Sequence, residues 1–155
     1  MDVEIAKFIA QAAIAVVGAF LAAHLATRRF RSEKWWERKA AAYSELVEAL
    51  HHMKWYSSEH IDAAMENRWL AKEDKDEYWK QYKEARRNVW RIADASAFLV
   101  SPKVHEAIVT LERALGEARN ADWWLEHAEQ EYAAIQKCLV RVKELARHEL
   151  GVKDA

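Results

Sequence analysis

The sequence predicts an all-α protein, with an N-terminal transmembrane helix continuing into a cytoplasmic bundle of four to five helices. Three observations carry this. The 155 residues include only three Gly and one Pro, which leaves little material for turns. Phe8 to Thr27 contains no charged residue. After Arg28, apolar residues recur at spacings of three and four, with no β-type alternation.

The first element, Ile5 to Thr27, carries one charge, Lys7, near its start. At about 1.5 Å per residue the twenty residues after Lys7 cover roughly 30 Å, the hydrocarbon thickness of a bilayer. A secretory signal has a basic start and a short apolar core, whereas this chain starts Met-Asp-Val-Glu and turns basic only after the apolar run. Residues 1–27 therefore read as an uncleaved anchor and residues 28–155 as the helical bundle. Basic residues beside a span stay on the cytoplasmic side, so Arg28, Arg29, Arg31 and Lys34 predict an inner-membrane protein with its N-terminus outside. Trp35 and Trp36 lie about 12 Å past Thr27 on a continued helix, at headgroup level. The alternative is an alanine-rich helix buried inside a soluble bundle.

Inside the span, Gln11, Ala15, Gly18 and Ala22 fall on one stripe. Small residues let helices approach closely in lipid and Gln can hydrogen-bond across the contact, so the stripe predicts a homo-oligomer. His24 lies on another face. Polar residues within a span are functional candidates, and an oligomer could turn Gln11 or His24 toward a lumen.

The second element continues the first without a break. Trp36, Ala40, Tyr43, Val47 and Leu50 keep the helical spacing, Leu46 and Met53 widen the stripe, and Gly18 is the only Gly or Pro from Val3 to Ser57. Ser57 or Ser58 is the expected cap of a new or kinked segment reaching about Leu70. A further helix begins in "KEDKDE" with Tyr78, Tyr82, Ala85, Val89, Ile92, Ser96 and Leu99 inward. Ser101-Pro102 reads as N-cap and first helical position, followed by a stripe of Val104, Ile108, Leu111 and Leu115. Asn120 or Asp122 is the expected cap of the last helix, Trp123 to Leu150. Its inner residues are Ala128, Ile135, Cys138, Leu139, Val142, Leu145 and Ala146, and Gly151 suits its C-terminal position.

The 24 basic and 25 acidic residues argue against a strongly basic nucleic-acid binder. Locally the balance shifts: Arg28, Arg29, Arg31, Lys34, Arg38, Lys39 and Lys54 face only Glu33, Glu37, Glu45 and Glu48 between Arg28 and Ser57. Anionic lipid headgroups are the partner this cluster predicts. Cys138 is the only cysteine, which excludes an intramolecular disulfide and a Cys-based zinc site, and its place on an apolar stripe predicts an inert core thiol. No Gly-rich phosphate loop, Gly-x-Ser-x-Gly elbow or His-Glu-x-x-His is present. Glu-x-x-His occurs once, at Glu48 and His51, where a di-iron bundle needs two pairs and two more carboxylates. No metal or cofactor is expected.

"RFRSEKWWERKAAAYSELVEALHHM" with the later "ADASAFLVSP" resembles a widespread group of short bacterial proteins of unknown function, each with one N-terminal span and a helical remainder. More loosely, the architecture is similar to the HEPN-like accessory membrane protein of type VI-B CRISPR systems. That resemblance implies assembly into a membrane pore in antiviral defence and a late Arg/His pair. Arg141 and His148, six residues between them, match the pair at its long edge, and in HEPN-type ribonucleases such residues act on the RNA phosphate. Random placement of this chain's arginines and histidines also produces that spacing. Arg119 and His127, with seven residues between them, match less well, though Asn follows Arg119. The readings are thus an oligomeric, pore-forming membrane protein, a ribonuclease, or a scaffold binding anionic lipid, with any protein or RNA partner unspecified.

Overall fold

A computed structural model describes residues 2–95 and 98–152, with side chains described at Gly18 and from Leu21 onward. It is all-α among the described residues, with α1 at Asp2–Met65, α2 at Lys72–Ala95, α3 at Pro102–Ala118 and α4 at Trp124–Leu150. The chain divides into two compact units, Met1–Glu37 and Arg38–Ala155.

In the second unit the apolar stripes meet in one core. The later part of α1 contributes Tyr43, Leu46, Leu50 and Met53, α2 Tyr82, Val89 and Ile92, α3 Val104, Ile108 and Leu111, and α4 Ile135, Leu139 and Val142. The three-and-four spacing puts each set on one face of its helix, and burying such side chains stabilises by about 1.5–3 kcal/mol apiece. Cys138 sits in this core, its Sγ 3.7 Å from the Ala107 carbonyl oxygen. Burial pushes its thiol up to about 12, as an inert core cysteine requires.

Three expected boundaries are corrected. α2 ends at Ala95, so Leu99, expected on its inner stripe, lies beyond the helix in a turn. Ser57 does not cap a new segment: α1 runs on to Met65. Ser57 follows Met53 by four positions on the same stripe and is buried, its hydroxyl donating to Glu131 Oε2 at 3.1 Å. A serine with a partner on another helix has no need to interrupt its own. Asn67 ends α1 instead, in the left-handed conformation (φ 51°), with Arg68 N–H donating to the Ala63 carbonyl at 2.8 Å.

Neither Asn120 nor Asp122 caps α4. The N-cap is Trp123, in extended conformation and without a side-chain cap hydrogen bond. Asn120 and Ala121 N–H instead close turns onto the Glu117 and Ala118 carbonyls. The Ser101 N-cap with Pro102 at the start of α3 is as the spacing predicts, and Gly151 terminates α4 at φ 68°.

Three ion pairs link elements within this unit. Lys39 Nζ meets Glu149 Oε2 at 2.8 Å, Arg91 Nη2 meets Glu45 Oε2 at 3.7 Å, and Arg86 grips Glu112 with two bonds, one of them Nε to Oε1 at 2.9 Å. Burial opposes ionisation of Glu112, but the Arg86 guanidinium outweighs it and holds the carboxyl below its usual range. For Glu149 burial is likewise outweighed, first by Lys39 and then by Ser101 and Tyr43.

Candidate functional site

Two regions bear on function. The first lies in the unit Met1–Glu37. Gly18 and every residue from Leu21 to Glu37 are exposed, including Leu21, Leu25, Phe30, Trp35 and Trp36. Thr27 Oγ1 donates to the Ala23 carbonyl at 2.9 Å, which satisfies its hydroxyl within the helix.

Arg29 pairs with Glu33 at 2.9 Å and Lys34 with Glu37 at 2.6 Å, while among the described residues Arg28 and Arg31 have no carboxylate at ion-pair distance. Ala22 and His24 are exposed, and Gly18 has open space where a Cβ would stand. Gln11 and Ala15 lie outside the described side chains. Among the described residues no helix is long and apolar enough to cross a membrane. Most of the apolar run Phe8 to Thr27, residues 8–17 with 19 and 20, has side chains outside that description.

The second region is a pocket of about 180 Å³ within the unit Arg38–Ala155. α1 supplies Tyr56, Ser57 and His60, α2 supplies Trp79, Tyr82 and Arg86, and Arg119 follows α3. α4 contributes Trp124, His127 and Glu131. Each helix presents residues three or four apart, the spacing that puts side chains on one face.

Glu131 is the centre of its hydrogen bonding. One carboxylate oxygen accepts the Ser57 hydroxyl and the other accepts the Tyr82 hydroxyl in a short bond. Tyr56 packs in tilted contact against Tyr82 at 4.7 Å and against His60 at 4.3 Å, and Tyr82 stacks on Trp79 at 5.3 Å. Burial, then the Glu131 charge, pushes the Tyr56 phenol up to about 12 and raises Tyr82 further, so both keep their protons and act as donors.

Both histidines are tied at one ring nitrogen. His60 Nδ1 lies 2.9 Å from the Tyr56 carbonyl oxygen and His127 Nδ1 lies 2.8 Å from that of Ala118. A carbonyl only accepts, so Nδ1 carries the proton in each ring and Nε2 is left for another partner.

Arg141 and His148 are both exposed on α4, and Arg141 Nη1 meets Glu144 Oε2 at 3.3 Å. The pocket gathers Arg119 and His127 but neither Arg141 nor His148. Among the described residues no group of three or more His, Cys, Asp or Glu could hold a metal ion. One signal in the sequence pointed toward the pocket: Glu131 occupies the turn between Ala128 and Ile135 on the inward stripe of α4, where a charge needs a partner. No family model matches the chain, and neither a curated protein nor a solved structure matches it.

Proposed function

We propose that the chain is a single-pass bacterial inner-membrane protein that homo-oligomerises. Its N-terminus lies outside and its helical unit receives a signal or partner in the cytoplasm. The observation that supports this most is the exposure of Leu21, Leu25 and Phe30 beside a cationic cluster and a Trp pair. Apolar side chains left without protein cover at the end of a charge-free run find their low-energy surroundings in lipid. Thr27, bonded to its own helix, tolerates the same medium. Arg28, Arg29, Arg31 and Lys34 then meet anionic headgroups, each contributing about 1 kcal/mol near the surface, and Trp35 and Trp36 sit at the interface.

In this reading Gln11, Ala15, Gly18 and Ala22 form the self-association stripe. A ring of copies with Gln11 or His24 facing the lumen would open a pore and depolarise the membrane, as an antiviral effector does. Digestion of the full-length chain in anionic lipid vesicles with proteinase K, which cuts after apolar residues, tests the anchor. Lipid should protect a fragment covering Phe8 to Thr27, readable by mass spectrometry. Digestion through that stretch in intact vesicles would refute it. Mass photometry of the same protein in mild detergent should show a multimer, and a uniform monomer would remove the pore.

A further inference from the structure

The pocket around Glu131 asks for a ligand, and its chemistry can be read from what its residues already satisfy. The Glu131 carboxylate is the one acidic side chain lining it, and each of its oxygens already accepts an O–H donor. Against it stand Arg86 and Arg119. Arg86 is engaged by Glu112, which does not line the pocket, whereas Arg119 has no carboxylate at ion-pair distance among the described residues and feels Glu112 only through space. His60 and His127 add no negative charge in any state and one positive charge each when Nε2 is protonated. The lining is thus neutral to cationic, and its unengaged charged donor is Arg119. Trp79 and Tyr82 stack with their planes 13° apart, and Tyr56 is tilted against both at about 42–43°, so the three rings make an aromatic wall with one parallel pair.

We propose that this pocket binds a small organic anion bearing a planar ring. The acid group is taken by Arg119 and by one or both histidines, and the ring lies against the aromatic wall. A guanidinium offers a fork of donors suited to a phosphate or carboxylate, and aromatic faces hold a flat ring by offset stacking. The volume, about 180 Å³, suits a single ring with one acid group.

Because each imidazole has Nδ1–H committed to a carbonyl, Nε2 must gain a proton before it can donate to the anion, so binding takes up protons. The groups lining the pocket with the histidines are Tyr56 and Ser57 from α1, Tyr82 and Arg86 from α2, Arg119 after α3 and Glu131 from α4, and His60 also shares a second pocket with Arg68 and Lys75. The two tyrosines stay neutral across the working range.

The proposal stands apart from the membrane reading and is tested on the full-length chain in mild detergent by isothermal titration calorimetry with phenyl phosphate. Saturable binding is expected, at least tenfold weaker for inorganic phosphate, which lacks the ring. Arg119→Ala should weaken binding at least tenfold; its side chain is exposed and makes no hydrogen bond the fold needs, so an unchanged circular dichroism melt shows that folding is intact. Trp79→Leu should weaken phenyl phosphate but not inorganic phosphate. Absence of heat with both phenyl phosphate and benzoate would overturn the proposal. So would Arg119→Ala binding as wild type, or phenyltrimethylammonium binding more tightly than either anion.

Discussion

Replacing Glu131 with Ala strips the partner from two buried donors at once. Ser57 is 1% exposed and Tyr82 2%, so water cannot take over from the carboxylate without the helices parting. Leaving a buried donor unsatisfied costs about 1–3 kcal/mol, which for the two hydroxyls gives roughly 2–6 kcal/mol. At roughly 4 °C per kcal/mol for a unit of this size, the melting temperature should fall by about 8–24 °C. Glu131→Gln keeps one acceptor oxygen and should cost less, because one hydroxyl keeps its partner while the other meets an amide donor. The assay is urea unfolding followed by far-ultraviolet circular dichroism, run as a double-mutant cycle with Tyr82→Phe. Removing both ends of the bond should cost less than the sum of the single losses, by about 0.5–3 kcal/mol. A loss under about 1 kcal/mol for Glu131→Ala, or strict additivity with Tyr82→Phe, would refute the claim that this carboxylate ties α1 and α2 to α4.

Other outcomes follow from the same geometry. With its thiol pushed up to about 12, Cys138 carries a thiolate fraction of about 10⁻⁴ at pH 8; it should resist maleimide in the native protein and label within minutes in urea, and rapid native labelling would contradict its burial. Glu112 and Glu149 have folded pKa values below their unfolded value, so the stability they add is present above about pH 4.5 and is lost as pH falls through the folded values. The Glu112→Gln, Glu149→Gln variant should therefore be less stable at pH 7 and show a flatter stability profile below pH 4.5, as measured by urea titrations. Gly151→Ala should cost about 1–2 kcal/mol through its left-handed backbone alone, since nothing lies within 4 Å of an added Cβ; a neutral result would mean that the end of α4 frays.

The helical stripes were legible because periodicity encodes burial. Val104, Ile108, Leu111 and Leu115 on α3, and Ile135, Cys138, Leu139, Val142 and Leu145 on α4, are buried as their spacing demands. Cap positions were less legible. A serine before a polar stretch looks the same whether its hydroxyl turns to its own backbone or to a carboxylate 74 positions away, and Ser57 took the second course. The start of α4 was misplaced for a related reason: the imidazole of His127 reaches the Ala118 carbonyl, a contact across the turn that no local pattern specifies.

The pocket was legible only in fragments. Arg119 with His127 drew notice as a spacing, whereas Glu131, a charge one turn from Ala128 and Ile135 on the inward stripe, was passed over. Their meeting with Tyr56, His60 and Tyr82 depends on how four helices align, which is fixed by packing across the core rather than by any one segment.

Membrane partition of the full-length chain tests the central claim most directly. After detergent-free lysis of expressing bacteria, ultracentrifugation and an alkaline carbonate wash, the chain should remain in the pellet and be released by detergent alone. Recovery in the supernatant would contradict the account, and the topology, the lipid contacts of Arg28 to Lys34 and the pore would fall with it.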